Sequence, residues 1–168
     1  MIRRLTIVGV GLLGGSVAKA ARARGIATEI VGVGRDASRL EAARRDGTLD
    51  RVTTDLAAGV RDAEVVVLAA PVLTILTLLD AVARVSGPET IVTDVGSTKA
   101  AIVAAASRLA RVFPLRFVGS HPMAGSEQSG YAHARVEVGQ QPSNARPLIG
   151  GGVLVGRGGR IGHRRASE

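Results

Sequence analysis

A chain of 168 residues, 46% of them apolar, is long enough for one packed domain and short for two. With no cysteine it can form no disulfide, thiolate nucleophile or cysteine-ligated metal, and three scattered histidines show no ligand spacing, so no metal site is expected. The net charge of +8 rests on basic residues that are almost all arginine and spread over the chain, half of the excess falling in 131–168, with only 2% aromatic residues for base stacking; this argues against nucleic acid and suits a small anionic ligand.

The first apolar run, Leu5 to Val10, leads into Gly9-Val10-Gly11-Leu12-Leu13-Gly14. Three glycines between a strand and a helix are what a dinucleotide pyrophosphate needs. Gly9 permits the tight turn, Gly11 lets the backbone approach the phosphates, and Gly14 lets helix pack on strand, while the helix N-terminus offers free N–H groups. An amphipathic helix follows, with Leu13, Val17, Ala20 and Ala21 on one face and Gly25 at its stop. The basic start and apolar stretch resemble a secretory leader only superficially. Lys19 interrupts the cleavage-like Ala18-Lys19-Ala20, and a cytoplasmic location is expected.

Further strand-length runs recur at Glu29 to Val33, Glu64 to Ala69, Thr90 to Val95 and Arg116 to Gly119. Helical patterns separate most of them. Ser38 and Glu41 suggest a capping box, with Gly47 ending that helix. Pro71 opens a helix with the stripe Val72, Ile75, Leu76, Leu79, Val82 and Ala83, and Ser97 or Thr98 caps one whose inner face is Ile102, Ala105, Ala106 and Leu109. Alternating strands and helices, with strands as continuously apolar as Val65-Val66-Val67-Leu68, predict an α/β fold: a Rossmann-like doubly wound parallel sheet covered on both faces. No run has the uncharged apolar length of a membrane span. After Gly130 the periodicity stops, and glycines with six arginines dominate. We therefore expect a dinucleotide-binding domain over 1–130, an irregular tail over 131–168 relieved at most by a short strand at Val153-Leu154-Val155, and no helical second domain.

In such sheets ligands bind beyond the carboxyl ends of the strands. The second strand ends at Gly34-Arg35-Asp36, where an acid would favour NAD. A small residue followed by a cation tilts the site toward NADP, with NAD left open through Asp36, which reads equally as a ribose acceptor or a helix N-cap. Ala70-Pro71 closes the third expected run beside the cofactor crevice. Ser97 reads as a helix cap or as a group orienting its neighbours, and Lys99 as an anion contact or a solvated first-turn residue. His121, held extended by Pro122, reads as a general base for alcohol dehydrogenation or as a structural loop histidine. His133 and His163 are weaker candidates.

Together Val8-Gly9-Val10-Gly11-Leu12-Leu13-Gly14-Gly15-Ser16, Ala70-Pro71-Val72, Thr93-Asp94-Val95-Gly96-Ser97-Thr98-Lys99 and Gly119-Ser120-His121-Pro122-Met123-Ala124-Gly125-Ser126-Glu127-Gln128-Ser129-Gly130 resemble the prephenate and arogenate dehydrogenases, the TyrA family of tyrosine biosynthesis. The last two segments are the specific ones. The resemblance implies NAD(P)-dependent oxidative decarboxylation of prephenate to 4-hydroxyphenylpyruvate, or of arogenate to tyrosine. It further implies that His121 takes the ring hydroxyl's proton, that Ser97 orients the histidine and hydroxyl, and that Ser126 and Glu127 line the substrate mouth. Family members continue into a helical domain that dimerises and binds substrate, a pattern not visible after Gly130. Those residues read as a truncated or frame-shifted continuation, so the alternative function is a weak or inactive NAD(P)-binding fragment.

Overall fold

The computed structural model describes residues 1–120 and 130–136, together with the backbone of 153–155 and 162–163. Six strands, β1 (Ile2–Val8), β2 (Ala27–Val33), β3 (Arg51–Thr53), β4 (Val65–Leu68), β5 (Ile91–Asp94) and β6 (Arg116–Gly119), pair in parallel in the order β3-β2-β1-β4-β5-β6. The order reverses direction at β1, which opens a crevice between β1 and β4 at their carboxyl ends. Two short antiparallel strands, β7 (Val153–Val155) and β8 (Gly162–His163), extend the β6 edge.

The helices α1 (Leu12–Ala23), α2 (Ala37–Arg45), α3 (Leu56–Val60), α4 (Val72–Val85) and α5 (Lys99–Leu109) cover both faces. Side chains alternate along each strand, so β4 sends Val66 and Leu68 into a core with Ile75 and Leu79 of α4 and Ile102 of α5. Val67 packs with Ile7, Ala18 and Ala21 on the α1 face. That two-sided burial is why the strands read as continuous apolar runs, and the doubly wound expectation holds. No helix among the described residues is long and apolar enough to cross a membrane.

Several local expectations change. β1 starts at Ile2, ahead of the apolar run, with Arg3 paired to Glu64 just before β4 and Arg4 paired to Glu29 of β2, both at 2.5 Å. It stops at Val8 because Gly9 turns to φ +97°. The cap of α2 is Asp36, whose carboxylate accepts the N–H groups of Ser38 and Arg39; Ser38 forms no capping box, and Glu41 binds Arg44 instead. Thr98, without a side-chain bond, occupies the cap position of α5. β3 and the single-turn α3 are additional elements.

Candidate functional site

The sheet register aligns the ends of five strands. Val33, Val8, Leu68, Asp94 and Gly119 are successive partners across β2, β1, β4, β5 and β6, so the residues following them leave from one edge. Gly9, Gly34, Ala69-Ala70-Pro71, Gly96-Ser97 and Ser120 are thereby brought to a single rim. His121, Ser126 and Glu127, the expected base and substrate-mouth residues, lie outside the described residues.

At the β1 end the three glycines are distinguished by what a side chain would meet. A Cβ on Gly9 would stand 2.3 Å from the carbonyl oxygen of Ala69, in a left-handed backbone conformation. A Cβ on Gly14 would stand 2.1 Å from Gly9 O and 2.9 Å from Ala69 Cβ, so this glycine lets α1 pack on the sheet. A Cβ on Gly11 would meet nothing within 4 Å among the described residues. Gly11 begins α1 with no side-chain cap, and the first turn holds no acidic residue, which leaves the helix's positive end open to an anion. Leu12 and Leu13 form that first turn. The geometry fits a pyrophosphate.

At the β2 end, Gly34 donates its N–H to Thr53 O at 3.3 Å, and a Cβ there would approach Leu40 Cδ2 at 3.2 Å, a side-chain tip able to yield. Asp36 pairs with Arg39 (Nε to Oδ2 3.2 Å), leaving Arg35 exposed with no ion-pair partner among the described residues. The Ser38 hydroxyl, foremost, with the backbone N–H groups at the start of α2, holds the Asp36 carboxyl below the usual carboxylate range. Asp36 therefore serves as the N-cap. At the β4 end Pro71 occupies the cap position of α4, and Ala70 packs against the core.

The β5 end carries a group that the sequence reading quoted without assigning a role. Asp94 is fully buried, and its Oδ2 accepts Gly96 N–H at 2.8 Å and the Lys99 ammonium, while Oδ1 has no hydrogen-bond partner among the described residues. Lys99 is thus partly buried and paired, folding back from α5 onto β5. Ser97 stands exposed on the turn that this carboxylate fixes. Ser120 donates to Asp94 O at 2.5 Å, with Thr93 Oγ1 3.2 Å away, which ties the ends of β5 and β6 together one residue before His121.

Contacts also run past the expected boundary at Gly130. A 3₁₀ turn, Tyr131–His133, lies on α1, and Ala134 is buried. The Tyr131 hydroxyl donates to Asp46 Oδ2 at 2.5 Å and lies 2.8 Å from Thr48 Oγ1. Burial, then the bond to Asp46, pushes the phenol up to about 12. Burial raises Asp46 in turn, but the hydrogen bonds from Tyr131 and Thr48 outweigh it and hold the carboxyl below its usual range. The raised phenol stabilises the fold fully below its unfolded value near 10, and that contribution is lost as pH rises through about 12. As the chain has a single tyrosine, absorbance titration of the phenolate reads this one group. A midpoint near 12 is expected, falling in Asp46→Asn; a midpoint near 10 would contradict the contact.

The family model of the prephenate dehydrogenase nucleotide-binding domain matches residues 17–141. The prephenate dehydrogenase of Bacillus subtilis (strain 168) is 38% identical over 135 residues, which cover 78% of this chain and 35% of that protein. The crystal structure of prephenate dehydrogenase from A. aeolicus in complex with hydroxyphenyl propionate and NAD+ superposes with a TM-score of 0.73 at 30% identity, over 82% of this chain and 48% of the other. Synechocystis arogenate dehydrogenase gives 0.72 at 34% identity, over 80% and 46%. The chain thus spans about a third of the length of the Bacillus subtilis relative and under half of the two solved ones. The match to this family model begins within α1, after the glycine turn, and runs over 17–141, well over half of the chain, and it places the chain in the prephenate dehydrogenase family, in the nucleotide-binding domain of that family.

Proposed function

We propose that this chain is the dinucleotide-binding part of an enzyme that oxidatively decarboxylates prephenate to 4-hydroxyphenylpyruvate or arogenate to tyrosine. The observation that carries the reading is the common rim of strand ends, with the open glycine turn at one position and Ser97 and Ser120 at others. Gly9, Gly11, Leu12, Leu13 and Gly14 hold the pyrophosphate, Gly34, Arg35 and Asp36 face the adenosine ribose, and Ala70-Pro71 borders the crevice. A nicotinamide dinucleotide supplies the hydride acceptor for such an oxidation. The chain's own contribution is positional and acid–base: the His121 imidazole takes the proton of the ring hydroxyl, Ser97 orients the two, and Ser126 and Glu127 line the substrate mouth. Aromatisation with loss of carbon dioxide drives the reaction.

The test is NAD(P)H formation from prephenate and from arogenate, each with NADP and with NAD. Turnover from one of them, well below that of a full-length relative, supports the reading. The length relative to its relatives favours a second reading, a cofactor-binding unit with little turnover of its own: the chain spans 35% of the Bacillus subtilis relative, and the family resemblance assigns substrate and dimer contacts to a helical domain. Cofactor binding without NAD(P)H formation from either substrate would select it. A cytoplasmic location belongs to the same proposal.

NADP is the preferred cofactor on this reading, because Arg35 is exposed without an ion-pair partner among the described residues and Gly34 presents no carboxylate. Gly34→Asp should therefore lower the affinity for NADP relative to NAD by about tenfold, the scale of one charge-assisted contact. Unchanged relative affinities would refute the assignment.

A further inference from the structure

We propose that Tyr131 is a positioning residue for dinucleotide binding: it clamps residues 130–136 onto the first two turns of α1 and so fixes the helix end that carries the glycine turn. The proposal rests on the reading of that turn as the dinucleotide site.

Two adjacent glycines let α1 be gripped from opposite sides. A Cβ on Gly14 would meet the sheet at Ile7 and Ala69, whereas a Cβ on Gly15 would meet Tyr131 Cδ2 at 2.6 Å and Ala134 Cβ at 2.9 Å. The polar contacts on the Tyr131 side reach the first residue of the helix. Ser16 Oγ donates to Leu12 O at 2.7 Å and accepts the Arg135 N–H at 3.0 Å. One turn on, Lys19 Nζ donates to Ala134 O at 3.1 Å, lies 4.7 Å from the centre of the Tyr131 ring, and is 4.0 Å from Asp46 Oδ2. The phenol bond to Asp46, the C-cap of α2, completes a tie between α1 and the turn leading to β3. A helix end held on both sides keeps its free N–H groups aimed without ordering on binding, so loss of the clamp costs affinity. Linkage requires the reverse as well: a bound dinucleotide must act on Tyr131.

The test uses the full chain, whose single tyrosine makes ring-labelled Tyr131 a unique NMR probe. NADP and NAD are titrated by calorimetry into the wild type and Tyr131→Ala, with circular dichroism as the check of fold. Affinity weaker by about fivefold or more is expected in the variant, the low end of ordinary coupling between sites. In the wild type the Tyr131 ring signals should shift with the calorimetric Kd, a response that a purely structural role would not produce. Equal affinity in the two proteins, or ring signals unmoved at saturation, would overturn the proposal. A wild type that binds neither dinucleotide overturns the underlying reading and this proposal with it. If Tyr131→Ala does not fold, Tyr131→Phe, which keeps the ring and loses the bond to Asp46, decides: weaker binding supports the clamp and unchanged binding contradicts it.

Discussion

Gly9→Ala should cost about 3 kcal/mol or more of stability and abolish dinucleotide binding, whereas Gly11→Ala should leave the fold standing and weaken binding alone. The contrast follows from the surroundings. At Gly9 a Cβ meets backbone, the Ala69 carbonyl at 2.3 Å, and that strand end is itself tied by the Ala69 N–H to Val8 O at 2.7 Å. Neither side can retreat without opening the β1–β4 pairing. The left-handed φ of +97° adds backbone strain of about 1–3 kcal/mol to an overpacking cost of similar size, a large part of a typical domain's total stability. At Gly11 a Cβ meets nothing among the described residues and φ is ordinary, so the stability cost is about 1 kcal/mol at most, from the poorer N-cap. The methyl group would nevertheless occupy the space through which a phosphate approaches the helix end, and affinity should drop about tenfold, the worth of one contact to a charged group. Urea unfolding with calorimetric titration separates the two variants. A stable Gly9→Ala that binds normally would remove the structural basis of the glycine assignment.

His121→Asn should lower kcat by about a hundredfold or more while leaving the Kd for NADP within a factor of two, because general acid–base groups contribute roughly that much and asparagine cannot take a proton. Steady-state rates on whichever substrate is accepted, compared with calorimetric Kd values, supply the check. Undiminished turnover would direct attention to a different nicotinamide enzyme with a similar glycine turn.

Much of the fold was legible because the sheet is buried on both faces. Runs such as Val65-Val66-Val67-Leu68 have no polar side to turn outward, and the glycine turn marks where the first run must end. β3 was hidden because three residues, Arg51–Thr53, one of them an exposed arginine paired with Glu29, carry no period. Two residues competed to cap α2, and Asp36 prevailed because its extended backbone places Oδ1 within reach of the Ser38 and Arg39 N–H groups at 3.0 and 3.3 Å. Asp94 and Tyr131 escaped for a different reason. Asp94 reaches Lys99 across a strand, turn and helix start, and Tyr131 reaches Asp46 across |i−j| = 85, so neither contact leaves a periodic trace. The usable signals were compositional: Lys99 is one of two lysines, and Tyr131 is the lone tyrosine, directly after Gly130 with its φ of +93° in the folded chain.

The rim of strand ends around the open glycine turn is the centre of this account, and titrating NADP and NAD separately into the chain by calorimetry probes it most directly. One dinucleotide per chain is predicted, with NADP bound more tightly than NAD and both weakened in Gly11→Ala. Absence of binding by either dinucleotide to the folded chain would contradict it.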